Sequence, residues 1–190
     1  MVGLNAWIGK VVNQKSCHGT FPEQLFFIGL FFLVNVQSLG QEVGGFENLV
    51  PNGSFEERLW CPSNFTQTEL QTLRHWKQPN AGTPDHFSAC GASGVTGVPR
   101  NIFGSQEAVD GEGYAGIVLY SSSKPNYREY LQVELTRALR PRELICVECW
   151  VCAADQSRLI TDGVGIHFSP EASNAIGEGR LNVFPQVANP

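Results

Sequence analysis

Gly111-Glu112-Gly113-Tyr114-Ala115-Gly116-Ile117-Val118-Leu119-Tyr120 can be read in two ways, and the choice decides the fold. Its glycines match the spacing Gly-x-Gly-x-x-Gly of a dinucleotide-binding turn, which requires a preceding strand and a following helix whose N-terminus holds a pyrophosphate. The residues after Gly116 do not suit that helix. Ile117-Val118-Leu119-Tyr120 is β-branched and aromatic, so the stretch reads as a turn running into a strand over Tyr114 to Tyr120, with no nucleotide partner.

Working outward, the second half of the chain repeats this texture. Tyr130-Leu131-Gln132-Val133-Glu134-Leu135 alternates, with Leu131, Val133 and Leu135 on one face. After the turn Arg140-Pro141-Arg142, whose proline cannot continue a ladder, Leu144 to Ala153 reads as another strand. Val164 to Phe168 and Leu181 to Phe184 complete the series. Toward the N-terminus, Phe46 to Val50 opens the domain as a strand and Pro51-Asn52-Gly53-Ser54 supplies turn chemistry. One helix is signalled: Thr66 and Glu69 have capping-box spacing, and Leu70 and Leu73 place apolar groups on one side of roughly two turns ending near Arg74. The Gly/Pro-rich stretch from Pro79 to Gly104 is long for a loop, which points to a functional surface or a cross-link. The pattern predicts an all-β domain with one short helix.

Ahead of that domain lies Leu25-Phe26-Phe27-Ile28-Gly29-Leu30-Phe31-Phe32-Leu33-Val34-Asn35-Val36. The run is short of the roughly 20 residues needed to cross a bilayer, but it fits the core of a secretory signal. Lys10 and Lys15 give it a positive flank, and Ser38 and Gly40 stand three and one before a cut ahead of Gln41. The expected organisation is a leader over 1–40, a linker over 41–46 and one domain over 47–190. The expected location is outside the cytoplasm: periplasmic, outer-membrane-associated or extracellular, with no transmembrane span in the mature chain. A formal charge of −5 with no block of Lys and Arg argues against a nucleic-acid partner.

Export makes the cysteines informative. Cys17 lies in the leader, so an odd number remains and cannot all pair within one chain. Cys61 and Cys90 flank the helix and the long loop. A disulfide between them would close about 30 residues and stabilise by roughly 3–4 kcal/mol in the chain-entropy view. Cys146, Cys149 and Cys152 have a spacing that suggests zinc, an iron–sulfur cluster or redox exchange, but on a strand Cys149 faces away from the other two. They read instead as small apolar residues of a core strand.

The candidates for catalysis do not assemble. Asp85, His86, His75, His167, Glu56 and Glu57 are scattered or adjacent, and neither a Gly-x-Ser-x-Gly elbow nor a His-Glu-x-x-His helix is present. Adjacent Glu56 and Glu57 point to opposite faces of an extended segment, unlike the facing carboxyls of a glycosidase. No catalytic residue is assigned and the chain is not expected to be an enzyme. Binding is better supplied: Trp60, Trp76, Tyr120, Tyr127 and Arg128 are the aromatic and planar polar types that stack on sugar rings and bond their hydroxyls.

Several stretches together resemble a known family. Asn48-Leu49-Val50-Pro51-Asn52-Gly53-Ser54-Phe55-Glu56-Glu57, Cys61-Pro62, Trp76 with Pro79, Thr83-Pro84-Asp85-His86-Phe87 with Cys90, and Val98-Pro99-Arg100-Asn101 carry the likeness. It continues through Gly104, Asp110-Gly111, Tyr114-Ala115-Gly116, Tyr127-Arg128-Glu129-Tyr130-Leu131, Gly165-Ile166 and Phe168-Ser169. These resemble the N-terminal domain of large secreted bacterial envelope proteins, often followed by an OmpA-like domain. The resemblance implies a galactose-binding-like jelly-roll β-sandwich, incomplete here at its C-terminus. It further implies a glycan or another envelope component as partner, and Glu56 as a ligand for a structural calcium, no other cofactor being expected. Arg140-Pro141-Arg142 departs from the family by standing where related modules have a glycine before a strand, and Cys149 and Cys152 replace an aromatic and a small polar residue. The expected function is a non-catalytic, exported module that binds glycan or scaffolds a larger envelope protein. Alternatives are the accessory carbohydrate-binding domain of a secreted hydrolase, or a ligand-free spacer.

Overall fold

A computed structural model describes residues 2–13, 48–64, 69–158 and 163–188, with backbone alone for 2–13 and 69–70. The apolar run 25–36, the cut ahead of Gln41, Cys17, Thr66 and the linker lie outside the described residues. What is described is almost entirely strand, turn and extended chain. Its elements are β1 (Val2–Asn13), a 3-10 helix (Glu69–Thr72), β2 (Trp76–Lys77), β3 (Asp85–Ser88), β4 (Arg100–Asn101) and β5 (Gly104–Ser105). Then come β6 (Gly113–Tyr120), β7 (Gln132–Val133), β8 (Ile145–Ala153), β9 (Gly165–Ile166) and β10 (Val187–Ala188).

The main sheet has the order β3-β6-β1-β8, all antiparallel, and three two-stranded pairs, β2–β7, β4–β5 and β9–β10, surround it. β6 is the stretch that opened the sequence reading. A strand follows Gly113, and the glycine fingerprint has a different use: Gly111 sits at φ +70°, where a Cβ would stand 2.5 Å from Oε1 of Glu56. Only glycine combines that backbone with that approach.

At β6 both faces of the sheet are covered, because its neighbouring residues point opposite ways. Ala115 joins Leu49, Val50, Phe55, Leu73 and Trp76, against which Leu131, Val133, Leu135, Ile145 and Val147 pack. Tyr114 joins Phe87 on the other face, with Val98, Phe103, Ala108 and Cys152. The Tyr114 and Phe87 rings are 5.2 Å apart, and Phe103 meets Phe87 edge-on at 5.9 Å. The alternation read in Tyr130–Leu135 thus delivers its three apolar residues to one core, although only Gln132–Val133 pairs as strand.

Some elements differ from the sequence reading. The 3-10 turn stops at Thr72, short of Arg74, because Leu73 leaves it to bridge Arg58 and bury its side chain, and His75 takes a left-handed φ of 72°. Within the stretch read as one long loop, Asp85–Ser88 is a fully buried strand of the main sheet, and the loop is indeed pinned by the Cys61–Cys90 disulfide. Leu181–Phe184 is not a strand; the pairing partner of β9 is Val187–Ala188. Most notably, Val2–Asn13, inside the stretch read as leader, lies between β6 and β8.

Candidate functional site

The Asn52-Gly53-Ser54-Phe55-Glu56 segment is shaped by one side chain. Asn52, buried at φ 52°, donates from Nδ2 to the carbonyls of Glu57 (2.9 Å) and Arg74 (3.0 Å), and its Oδ1 accepts the Glu57 N–H (2.8 Å). Its own carbonyl takes the indole N–H of Trp76 at 2.8 Å, and Trp76 packs on Phe55 with ring centroids 5.0 Å apart. Trp76, one of the aromatics offered for sugar stacking, is therefore covered on all sides in the core.

Glu56 serves the same construction. Its Oε1 accepts the N–H of Glu112 at 2.7 Å and its Oε2 lies 3.6 Å from the Arg58 guanidinium. A calcium ion needs six to eight oxygens and is repelled by a neighbouring cation. With one oxygen on an amide and the other beside an arginine, and no gathering of three or more His, Cys, Asp or Glu side chains among the described residues, this surrounding does not fit that ion.

A concave feature among the described residues lies elsewhere. A cavity of about 610 Å³ opens between the β6 end, the 121–129 loop, the 102–103 turn and residues 154–157, within the size range of small-molecule sites. Its apolar wall is Ile102, Phe103, Val118 and Ala154. Hydroxyl and amide groups of Thr83, Ser121, Ser123, Tyr127, Gln156 and Ser157 line the rest, with Asp85, Lys124 and Glu129 as charges.

Glu129 organises this wall. Only 2 % exposed, its carboxylate accepts the Val118 N–H on Oε2 (2.6 Å) and, on Oε1, the Thr83 N–H and hydroxyl (both 3.2 Å) and the Tyr127 hydroxyl. Its backbone N–H also bonds the Val118 carbonyl at 2.9 Å. Burial pushes the Glu129 carboxyl above the ordinary carboxylate range, and the hydrogen bonds from Tyr127, Val118 and Thr83 pull it back down. Burial and the adjoining carboxylate push the Tyr127 phenol up to about 12, so it stays a neutral donor. The result is a phenol ring fixed at the cavity wall, with Lys124 stacked 5.2 Å from its centroid and bonded to Glu178 at 3.0 Å.

The other sequence candidates are placed apart from this cavity's lining. Arg128 lies 5.6 Å over the Tyr120 ring and donates to the Pro125 and Tyr127 carbonyls, so it braces the loop that carries Tyr127. Trp60 is 57 % exposed beside the disulfide cysteine Cys61. Of the five, Tyr127 alone lines the cavity. Glu129, which its neighbour Arg128 suggests is half of a surface pair, is instead the buried centre, and Asp85 and His86, read as loop residues, are buried in β3. His86 bonds Thr72 (Nδ1 to Oγ1, 2.6 Å) and is held in the interior as a neutral imidazole.

The three later cysteines lie on β8 with alternating direction, so Cys149 is exposed while Cys146 and Cys152 are half-buried. Cys152 is packed toward Phe87 and Tyr114, its thiol donating to Gln106 Oε1 at 3.3 Å. Among the described residues no helix is long and apolar enough to cross a membrane. No family model matches the chain, and neither does any curated protein or solved structure.

Proposed function

We propose that this chain is a non-catalytic, exported carbohydrate-binding module of the cell envelope, a jelly-roll β-sandwich whose sugar site is the cavity beside Tyr127. The observation that carries the reading is the composition of that wall: the Tyr127 phenol and the apolar Ile102 and Phe103 line it together with hydroxyl and amide groups. Sugars ask for this mixture, since their C–H faces pack on apolar and aromatic surface while their hydroxyls seek planar or hydroxylic partners. The buried carboxylate favours binding over hydrolysis. Both oxygens of Glu129 accept hydrogen bonds, Oε2 from Val118 and Oε1 from Thr83 and Tyr127, so this carboxylate is committed to holding the wall. The sequence supplies the remaining support, through the export signal and the likeness to envelope-protein domains. A glycan array probed with the full-length chain tests the reading: retention of a defined glycan class is expected, and uniform absence of binding overturns it.

A further inference from the structure

β8 ends the main sheet: among the described residues it pairs with β1 on one side and with no strand on the other. The open N–H and C=O groups of such an edge accept another strand, so natural edges are kept short or are blunted by proline or lysine. Ile145–Ala153 uses none of these devices. It runs for nine residues, carries Glu148 as its one charge, and leaves Trp150 55 % and Val151 41 % exposed. Glu148, Cys149, Trp150 and Val151 are all open in succession, so both faces of the strand are accessible at its middle.

The sequence of this edge says what fits it. About Cys149 it is nearly a palindrome: Val147 and Val151 stand two residues to either side, Cys146 and Cys152 three, and the apolar Ile145 and Ala153 four. A second copy laid antiparallel, its Cys149 opposite this one, therefore sets valine against valine, cysteine against cysteine and Ile145 against Ala153. Identical strands paired in this way are related by a two-fold axis, the closed symmetry of most homodimers. Charge selects the register. Pairing centred on Glu148 would set two carboxylates directly opposite each other, whereas pairing centred on Cys149 sets each Glu148 against the Trp150 indole.

We propose that the β8 edge is a homodimer interface, at which two copies of this chain join their sheets by antiparallel β8–β8 pairing centred on Cys149. The two four-stranded sheets become one, in the order β3-β6-β1-β8-β8-β1-β6-β3, and neither β8 edge stays open. Main-chain hydrogen bonds along the new ladder supply affinity, and the matched side chains supply register. Directly opposed residues of an antiparallel pair have Cα atoms about 4.5–5.5 Å apart, within the span of a disulfide, so the two Cys149 thiols mark the axis. The interface is independent of the carbohydrate reading.

Sedimentation equilibrium of the full-length chain in reductant is the first measurement: a dimer at micromolar concentration is expected, and a monomer overturns the proposal. Two variants at one exposed position then test the register. Trp150→Lys places a cation opposite Glu148 of the second copy, twice by symmetry, and Trp150→Glu places an anion there. The Trp150→Glu dimer is expected to have a Kd about 10-fold weaker than the Trp150→Lys dimer. Equal values for the two overturn the pairing. Cys149 gives a readout on the unaltered chain: two thiols and one molecule of oxidised glutathione yield one S–S bond and two molecules of reduced glutathione. Partial burial pushes the Cys149 thiol up, so the exchange is run at about pH 9, where more thiolate is present. Peptide mapping is expected to find Cys149 joined to Cys149 of the second copy. Cys149→Ser removes that link and leaves the dimer in reductant intact. Failure of the Cys149 link to form, or intermolecular bridges through other cysteines alone, would overturn the two-fold centred there.

Discussion

The indole N–H of Trp76 is bonded to the backbone carbonyl of Asn52 at 2.8 Å, across 24 positions of sequence. The same asparagine fixes Glu57 and Arg74, so a single residue closes the turn that opens the domain onto the strand that starts its core. Asn52→Ala removes three side-chain bonds and places an alanine at a left-handed φ. The expected loss is about 2–4 kcal/mol, read as a lower urea midpoint at unchanged slope. Asn52→Gly relieves the backbone term alone and is expected to fall between the two.

Glu129→Gln tests the wall of the cavity. Both carboxylate oxygens accept N–H or O–H donors, and an amide presents an acceptor on one side only. One buried donor is left facing an NH₂ group, at a cost of about 2 kcal/mol. Chemical denaturation checks the magnitude. An unchanged midpoint would mean that the carboxylate does not organise this loop.

Arg142 points the other way. It adopts φ +64° three residues before β8 and is exposed. An L-residue is strained in that conformation, so Arg142→Gly is expected to stabilise by about 0.5–1 kcal/mol. A rise in Tm of a few degrees is the readout.

Acid sensitivity follows from His86. Burial, assisted by the nearby Arg58 cation, lowers its imidazole from 6.5 to about 4. Between those values the unfolded chain binds the proton and the folded chain does not, so the stability present above pH ~6.5 is lost as pH falls toward ~4, by on the order of 3 kcal/mol. Glu129 acts in the opposite sense: its raised carboxyl contributes stability at low pH that is lost as pH rises through its folded value. The direct check is the His86 ring resonance in the folded protein, expected to remain that of a neutral imidazole at pH 5.5.

What could be read from the sequence was what local pattern determines. Tyr114–Tyr120 and Leu144–Ala153 announce themselves as strands by β-branched and aromatic content, and the alternation of Leu131, Val133 and Leu135 found its core. The Cys61–Cys90 bridge was legible because the overlong Pro79–Gly104 stretch called for a cross-link and Cys90 lies within it, across the helix from Cys61. Asp85–Ser88 was hidden: an aspartate and a histidine in a four-residue run read as polar loop, and only partners distant in sequence, such as Thr72, make burial tolerable. Glu129 was missed for the same reason, since its donors come from Thr83 and Val118. Among the sugar-binding candidates, residue type could not separate the cavity-lining Tyr127 from the core Trp76. Both are large aromatics, and only the fold decides which has an open face.

The most direct test of the carbohydrate-binding account is calorimetric titration of the array-selected glycan into full-length protein and three variants. Ile102→Ala and Gln156→Ala trim exposed parts of the cavity wall, whereas Trp60→Ala removes an exposed aromatic outside it. The account predicts at least 10-fold weaker binding for the first two and an unchanged Kd for the third. Binding that survives both cavity variants and is lost with Trp60 would contradict it.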